Sequence, residues 1–160
     1  MATNRGRRGV IAAIATVLWL GYMAVGLALI QHFAPNVNGN GPEGLAAFVG
    51  LVRDHHQGRA VLRLDYSAYG PMAEAECARI VAEAQARWQV AVALRHRIGA
   101  LAIGDAAVAV VAASAHRDEA FAACRFLIEE VKRRVPVWKR ESYADGTVAW
   151  VDPTAALQHA

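Results

Sequence analysis

An amphipathic helix that is forced to stop constrains this chain more than any other feature of its sequence. From Arg117 to Arg134 the apolar residues Ala120, Phe121, Cys124, Leu127, Ile128 and Val131 recur at the i, i+3, i+4 spacing of one buried helix face. Asp118 and Glu119 occupy the first turn, and Lys132, Arg133 and Arg134 the last, as the helix dipole favours. Pro136 has no N–H to donate and ends the helix, so Val137 to Ser142 is expected to leave as a strand. Just upstream, Ala106 to Ala113 is a continuous apolar run, expected to be a central strand.

The same stretch carries the candidate chemistry. At about 100° per residue, Lys132 lies about 20° from Phe121 and about 40° from Ile128 around the helix axis. That places it at the margin of the apolar stripe, whereas Arg133 and Arg134 project away. A lysine that is partly desolvated and close to other cations is biased towards its neutral amine, which can act as base or nucleophile. Lys139 follows just beyond Pro136, and the His116-Arg117 pair opens the helix. Together these residues describe a cationic pocket at a helix-to-strand turn, suited to phosphate or another compact anion. Arg133 and Arg134 are read as complements of the helix dipole. For Lys132 and Lys139, spacing alone leaves both readings open.

Around this core the pattern is α+β, with antiparallel strands and two main helices. Leu45 to Val52 and Ala60 to Tyr66 read as strands, and Val90 to His96 alternates again. Pro71 to Trp88 reads as a helix with Met72, Ile80, Val81 and Ala84 facing inward. A last strand is expected at Thr147 to Val151. One domain, residues 45–152, thus follows a linker at 35–44 and precedes a tail at 153–160. The linker contains a literal G-x-G-x-x-G at Gly39, Gly41 and Gly44, but it precedes a strand and encloses Pro42, so no nucleotide site is assigned.

Residues 1–34 stand apart. Positions 9–30 carry no charge and follow Arg5, Arg7 and Arg8, in a chain that is 56% hydrophobic. The run is long enough to span a bilayer as an apolar N-terminal helix. A secretory signal, a diverged helix packed on the domain and a misplaced translational start are the other readings; the last is preferred. Membrane association through residues 9–30 is therefore the alternative to a cytoplasmic protein.

Five segments, in order, resemble the catalytic (large) subunit of molybdopterin synthase, the MoaE family. They are Phe48-Val-Gly50-Leu-Val-Arg53 with Gly58; Leu64-Asp-Tyr66-Ser-Ala-Tyr69 with Met72-Ala-Glu74; and His96-Arg97-Ile98-Gly99 with Leu101 and Gly104-Asp105. The fourth is His116-Arg117-Asp118-Glu119-Ala120-Phe121. The fifth joins Lys132, Pro136 and Trp138-Lys139-Arg140-Glu141 to Gly146 and Trp150. The resemblance implies a MoaE-like α/β hammerhead that moves sulfur from a thiocarboxylate to cyclic pyranopterin monophosphate, forming the molybdopterin dithiolene. The donor would be the Gly-Gly tail of a small ubiquitin-like subunit, and the assembly a homodimer carrying two such subunits, a heterotetramer. It further implies that Lys132 and Lys139 are catalytic and that Arg53, His116 and Arg117 line the anion pocket, the His-Arg pair reaching it from the neighbouring protomer. No cofactor or metal is expected in this subunit, since the pterin is the product.

The residues leave other readings. Ser67 stands where the family usually has an acidic residue; an arginine expected soon after Trp150 is missing, and this together with the unusual N-terminus favours a membrane-anchored, non-catalytic relative. A basic phosphate- or nucleic-acid-binding module is weakly suggested by Arg125, Lys132, Arg133, Arg134, Lys139 and Arg140, but net charge is only +3 and no nucleic-acid motif is present. Cys77 and Cys124 are expected to be buried thiols, His96 a packed histidine, His55-His56 a solvated loop, and Trp138 and Trp150 core residues, Trp138 alternatively walling the pocket.

Overall fold

The run expected to be central is the middle strand of a three-stranded antiparallel sheet: β6, Ala106–Ser114, lies between β1, Gly44–Leu51, and β4, Val90–His96. This is a computed structural model, which describes residues 43–151. The apolar segment at 1–34, its possible helix, the linker up to residue 42 and the tail from 152 lie outside the described residues. Among the described residues, no helix is long and apolar enough to cross a membrane.

Two helices pack on that sheet, α1 at Gly70–Arg87 and α2 at Arg117–Arg134. Ile80 and Ala84 of α1, Val110 and Ala112 of β6, and Ala123 and Leu127 of α2 share one core with no exposed surface. Burying each larger side chain there contributes roughly 1.5–3 kcal/mol. Val110 is opposite Phe48 on β1 and Leu94 on β4, so the apolar pattern on three strands sets one register.

The helices are rotated from the expected faces. Phe121 is 62% exposed and Met72 56% exposed, while Ala123, absent from the expected stripe, is fully buried. Counted from Ala120 at about 100° per residue, Ala123 and Arg134 fall near −60° and −40°, and Phe121 and Lys132 near +100° and +120°. Arg134 meets Glu76 and Glu83 of α1, at 2.6 and 2.8 Å. The neighbouring helix thus covers the Ala123 side and leaves Phe121 and Lys132 in the open. On α1, Ala73 rather than Met72 continues the Ile80–Ala84 line into the core.

The remaining strands make a second antiparallel sheet. β3, Arg59–Ala68, pairs with the short β2, His55–His56, with β5, Gly99–Ala102, and with β7, Val137–Tyr143; β8, Val148–Val151, pairs with β7. Neither β2 nor β5 was expected from the sequence: β2 is two residues long, and β5, Gly-Ala-Leu-Ala, carries no β-branched or aromatic residue to mark a strand. Val52, Val61, Leu64, Leu101, Ala107 and Tyr143 form a smaller core here. The α+β class and the antiparallel pairing are as expected, with the strands divided between two sheets.

Candidate active site

Strand β7 inverts the usual burial rule, and that inversion builds the site. Side chains alternate across a strand, so Val137, Lys139, Glu141 and Tyr143 share one face and Trp138 and Arg140 the other. The inner face holds the charges. Glu141 is 2% exposed, whereas Trp138 is 50% exposed and Trp150, opposite Arg140 on β8, is 65% exposed. Both tryptophans were expected in the core. The pairing of β7 with β3 decides otherwise, placing Leu64 across from Glu141 and Tyr66 across from Lys139.

A buried carboxylate needs partners for its lone pairs, and Glu141 has them. Its Oε1 lies 3.1 Å from Lys139 Nζ, and its Oε2 accepts from Tyr143 Oη at 2.6 Å and from His56 Nδ1 at 2.7 Å. Burial pushes the Glu141 carboxyl up, but hydrogen bonding from Tyr143, the charge and hydrogen bond of Lys139 and the bond from His56 together hold it below its ordinary value. Glu141 is therefore an anion, and every group that contacts it must donate. The bond to Glu141 raises the Tyr143 hydroxyl, with burial and the Glu141 charge adding to it. His56 is thus part of a buried cluster and not of a solvated loop, while His55 remains exposed beside Asp54 at 2.7 Å.

Lys139 and Glu141 form one wall of a cavity of about 630 Å³ between the two sheets. The opposite wall comes from α2, whose last turn contributes Val131 and Lys132, and from Phe48 of β1. Lys132 itself is exposed, not half-buried at the edge of the stripe, and its Nζ stands 5.6 Å from the centre of the Phe48 ring. Arg53, immediately after β1 and Val52, is exposed and also lines the cavity. Tyr66 and His96 meet there edge to face, with ring centres 5.1 Å apart. Burial, then the charge of Glu141, raises the Tyr66 hydroxyl against the opposing pull of Arg53. Burial lowers His96, opposed by its bond to the Arg97 carbonyl at 2.8 Å. His96 is a packed histidine, as expected, that also lines the cavity.

The structure thus brings together Arg53, Lys132 and Lys139 but not His116 and Arg117. Those two open α2 at its other end, about 25 Å from Lys132 along an 18-residue helix. Both are exposed, and Arg117 only approaches the equally exposed Asp118, at 3.9 Å. Within one chain they do not reach the cavity. Cys77 and Cys124 are free thiols away from it, both raised by burial. Glu141, His56 and Tyr143 were not expected in the site. The spacing Lys139, Glu141, Tyr143 along one strand was the available signal for two of them; nothing local marked His56.

Three cations around a partly apolar cavity, one of them held by a buried carboxylate, form a site whose charge and shape suit a compact anionic ligand. The comparisons make this specific. Residues 30–134 match the family described as MoaE protein, and the chain belongs to that family. A molybdopterin synthase catalytic subunit from Pyrococcus abyssi (strain GE5 / Orsay) is 44% identical over 124 residues, covering 77% of this chain and 83% of the relative. One from Oryza sativa subsp. indica is 42% identical over 120 residues; the match covers 74% of this chain but only 62% of the rice protein. The crystal structure of molybdopterin synthase from Staphylococcus aureus superposes with a TM-score of 0.68 at 36% identity, covering 75% of this chain and 85% of that one. The fold recurs, at 18% identity and a TM-score of 0.60, in a complex of subunits 1 and 2 of molybdopterin-converting factor from Helicobacter pylori 26695, covering 86% of this chain and 83% of that one.

Proposed function

We propose that this chain is a molybdopterin synthase catalytic subunit: a sulfurtransferase that installs the dithiolene sulfurs on cyclic pyranopterin monophosphate. The observation that carries the reading is the convergence of Lys132 and Lys139, from a helix end and a strand that Pro136 separates, on one cavity. Family membership supplies the reaction class.

In this reading a small ubiquitin-like subunit brings its C-terminal thiocarboxylate into the cavity. The thiocarboxylate sulfur attacks the pterin and the cyclic phosphate opens. Water then cleaves the acyl–sulfur bond, leaving sulfur on the pterin and the tail as a carboxylate. Negative charge moves onto phosphate and carboxylate oxygens, where fixed cations lower the barrier. Arg53 suits phosphate through its planar fork of donors, and the lysines deliver point charges or a proton. Lys132 is assigned to the acyl carbon or proton transfer, and Lys139 to orienting tail and substrate. No resident cofactor enters the scheme. We place the reaction in the cytoplasm, with two chains forming a dimer that carries two small subunits.

The test is reconstitution. The purified chain, a thiocarboxylated small subunit and cyclic pyranopterin monophosphate should yield dithiolene product. A folded chain that binds both partners and forms none would overturn the reading.

A further inference from the structure

Glu141 divides its two oxygens between different tasks, and this division points to a role for a residue outside the lysine pair. Oε1 faces the Lys139 ammonium at 3.1 Å, while Oε2 receives Tyr143 Oη at 2.6 Å and His56 Nδ1 at 2.7 Å. A carboxylate on a flexible side chain can turn about its last bond and present either oxygen to a cation. Two donors on one oxygen remove that freedom. Tyr143 reaches Glu141 from the same strand, two residues on, so it cannot fix the carboxylate relative to the rest of the domain. His56 can, because it belongs to β2, 85 residues away in sequence.

We propose that His56 is a positioning residue: through Glu141 it sets where the Lys139 amine stands in the cavity. The inference rests on the functional reading above for its catalytic consequence, though not for its structural one. Because Glu141 is ionised and Tyr143 already donates to it, His56 must present Nδ1–H to Oε2. The imidazole is fixed in turn by its place in β2, where His56 pairs with Arg59 of β3. Arg59 closes the outside of the cluster: its guanidinium lies 3.6 Å from the centre of the Tyr143 ring and bonds Asp145 at 2.9 Å and Thr147. A link therefore runs from the β7–β8 turn through Arg59, Tyr143 and Glu141 to Lys139, with His56 as the anchor from the neighbouring strand. The side chain of His56 is 20% exposed, and that of Lys139 17% exposed. Water competes weakly for these bonds, and losing one leaves a buried acceptor short of a partner.

The experiment compares His56→Leu with His56→Asn, whose amide nitrogen can occupy the position of Nδ1. Product formation is measured in the reconstituted system beside the unsubstituted chain. Independently, the lysines are reductively methylated with carbon-13 and the Lys139 resonance is followed by NMR. His56→Leu should lower kcat about tenfold, with the KM for the pterin changed by less than about threefold, because positioning acts mainly on the bound complex. It should also move the Lys139 resonance. His56→Asn should restore most of both. Equal losses in the two variants, or an unmoved Lys139 resonance in folded His56→Leu, would overturn the proposal. If His56→Leu does not fold, His56→Gln, whose amide nitrogen reaches the place of Nε2 and not of Nδ1, takes its part: a Lys139 resonance moved by His56→Gln and not by His56→Asn supports the proposal, and an unmoved resonance or equal shifts in both overturn it. An inactive unsubstituted chain would count against the sulfurtransferase reading alone, since the resonance is read without turnover.

Discussion

The ammonium of Lys132 stands 5.6 Å from the centre of the Phe48 ring, across the cavity from the buried pair of Lys139 and Glu141. The two lysines thus differ in kind. Lys139 is held by a carboxylate, whereas Lys132 rests against an aromatic face and is free to meet an incoming group. This difference is the ground for the role proposed for Lys132. Lys132→Ala should reduce dithiolene formation by at least about a thousandfold if the amine takes part in acyl or proton transfer. Its circular dichroism and unfolding midpoint should match the unsubstituted chain, because Lys132 is exposed and packs no core. Near-normal turnover would remove Lys132 from the mechanism.

His116 and Arg117 are too far along α2 to act on their own chain's cavity, so any contribution must come from a second copy. Arg117→Ala and Lys132→Ala should each be inactive alone. Mixed and allowed to exchange, they should recover about a quarter of full activity: half the dimers are mixed, and each mixed dimer keeps one intact site. No recovery, with exchange verified by mass, would restrict Arg117 to a structural role.

Gly44 is where β1 starts against the first turn of α2. A Cβ there would lie 2.6 Å from Arg117 Cα and 2.8 Å from Arg117 N, both backbone atoms that cannot swing aside. Gly44→Ala should therefore cost about 1–3 kcal/mol in urea unfolding. Gly70→Ala, with open space around it, should cost nothing measurable.

His96 and Glu141 are two of the groups that make stability fall as pH falls. His96 is lowered by burial from its ordinary 6.5, and Glu141 is held below its ordinary 4.5 by its donors against the opposing effect of burial. For each, the unfolded chain binds more protons in the window between the folded and ordinary values. Their contributions are complete above the ordinary value and are lost as pH falls through the folded one. Urea midpoints should decline as pH drops below about 6.5 and decline again below about 4.5. His96→Gln should flatten the first decline and Glu141→Gln should lessen the second, to which Glu83, Glu130 and Asp145, each held low by its partners, also contribute; pH-stepped denaturation would read both.

The helix periods, the apolar run of β6 and the stop at Pro136 were legible from residue order, because they express local rules: a 3.6-residue repeat, a continuous apolar run, a missing N–H. The motif series was legible too, and with it the family and the lysines at 132 and 139. Burial was not. Phe121, Met72, Trp138 and Trp150 are apolar residues left exposed, and Glu141 is a charge taken inside. Which arc of a helix is covered depends on where the other helix lies. Which face of β7 turns inward depends on its register with β3, a pairing between segments about 75 residues apart. Sequence alone determined the helices, every described strand but β2 and β5, their order, and the residue numbers of the three cations. Only the tertiary structure decided that a distant histidine, a tyrosine and a buried glutamate stand behind one lysine, since long-range pairing leaves no mark in the local pattern.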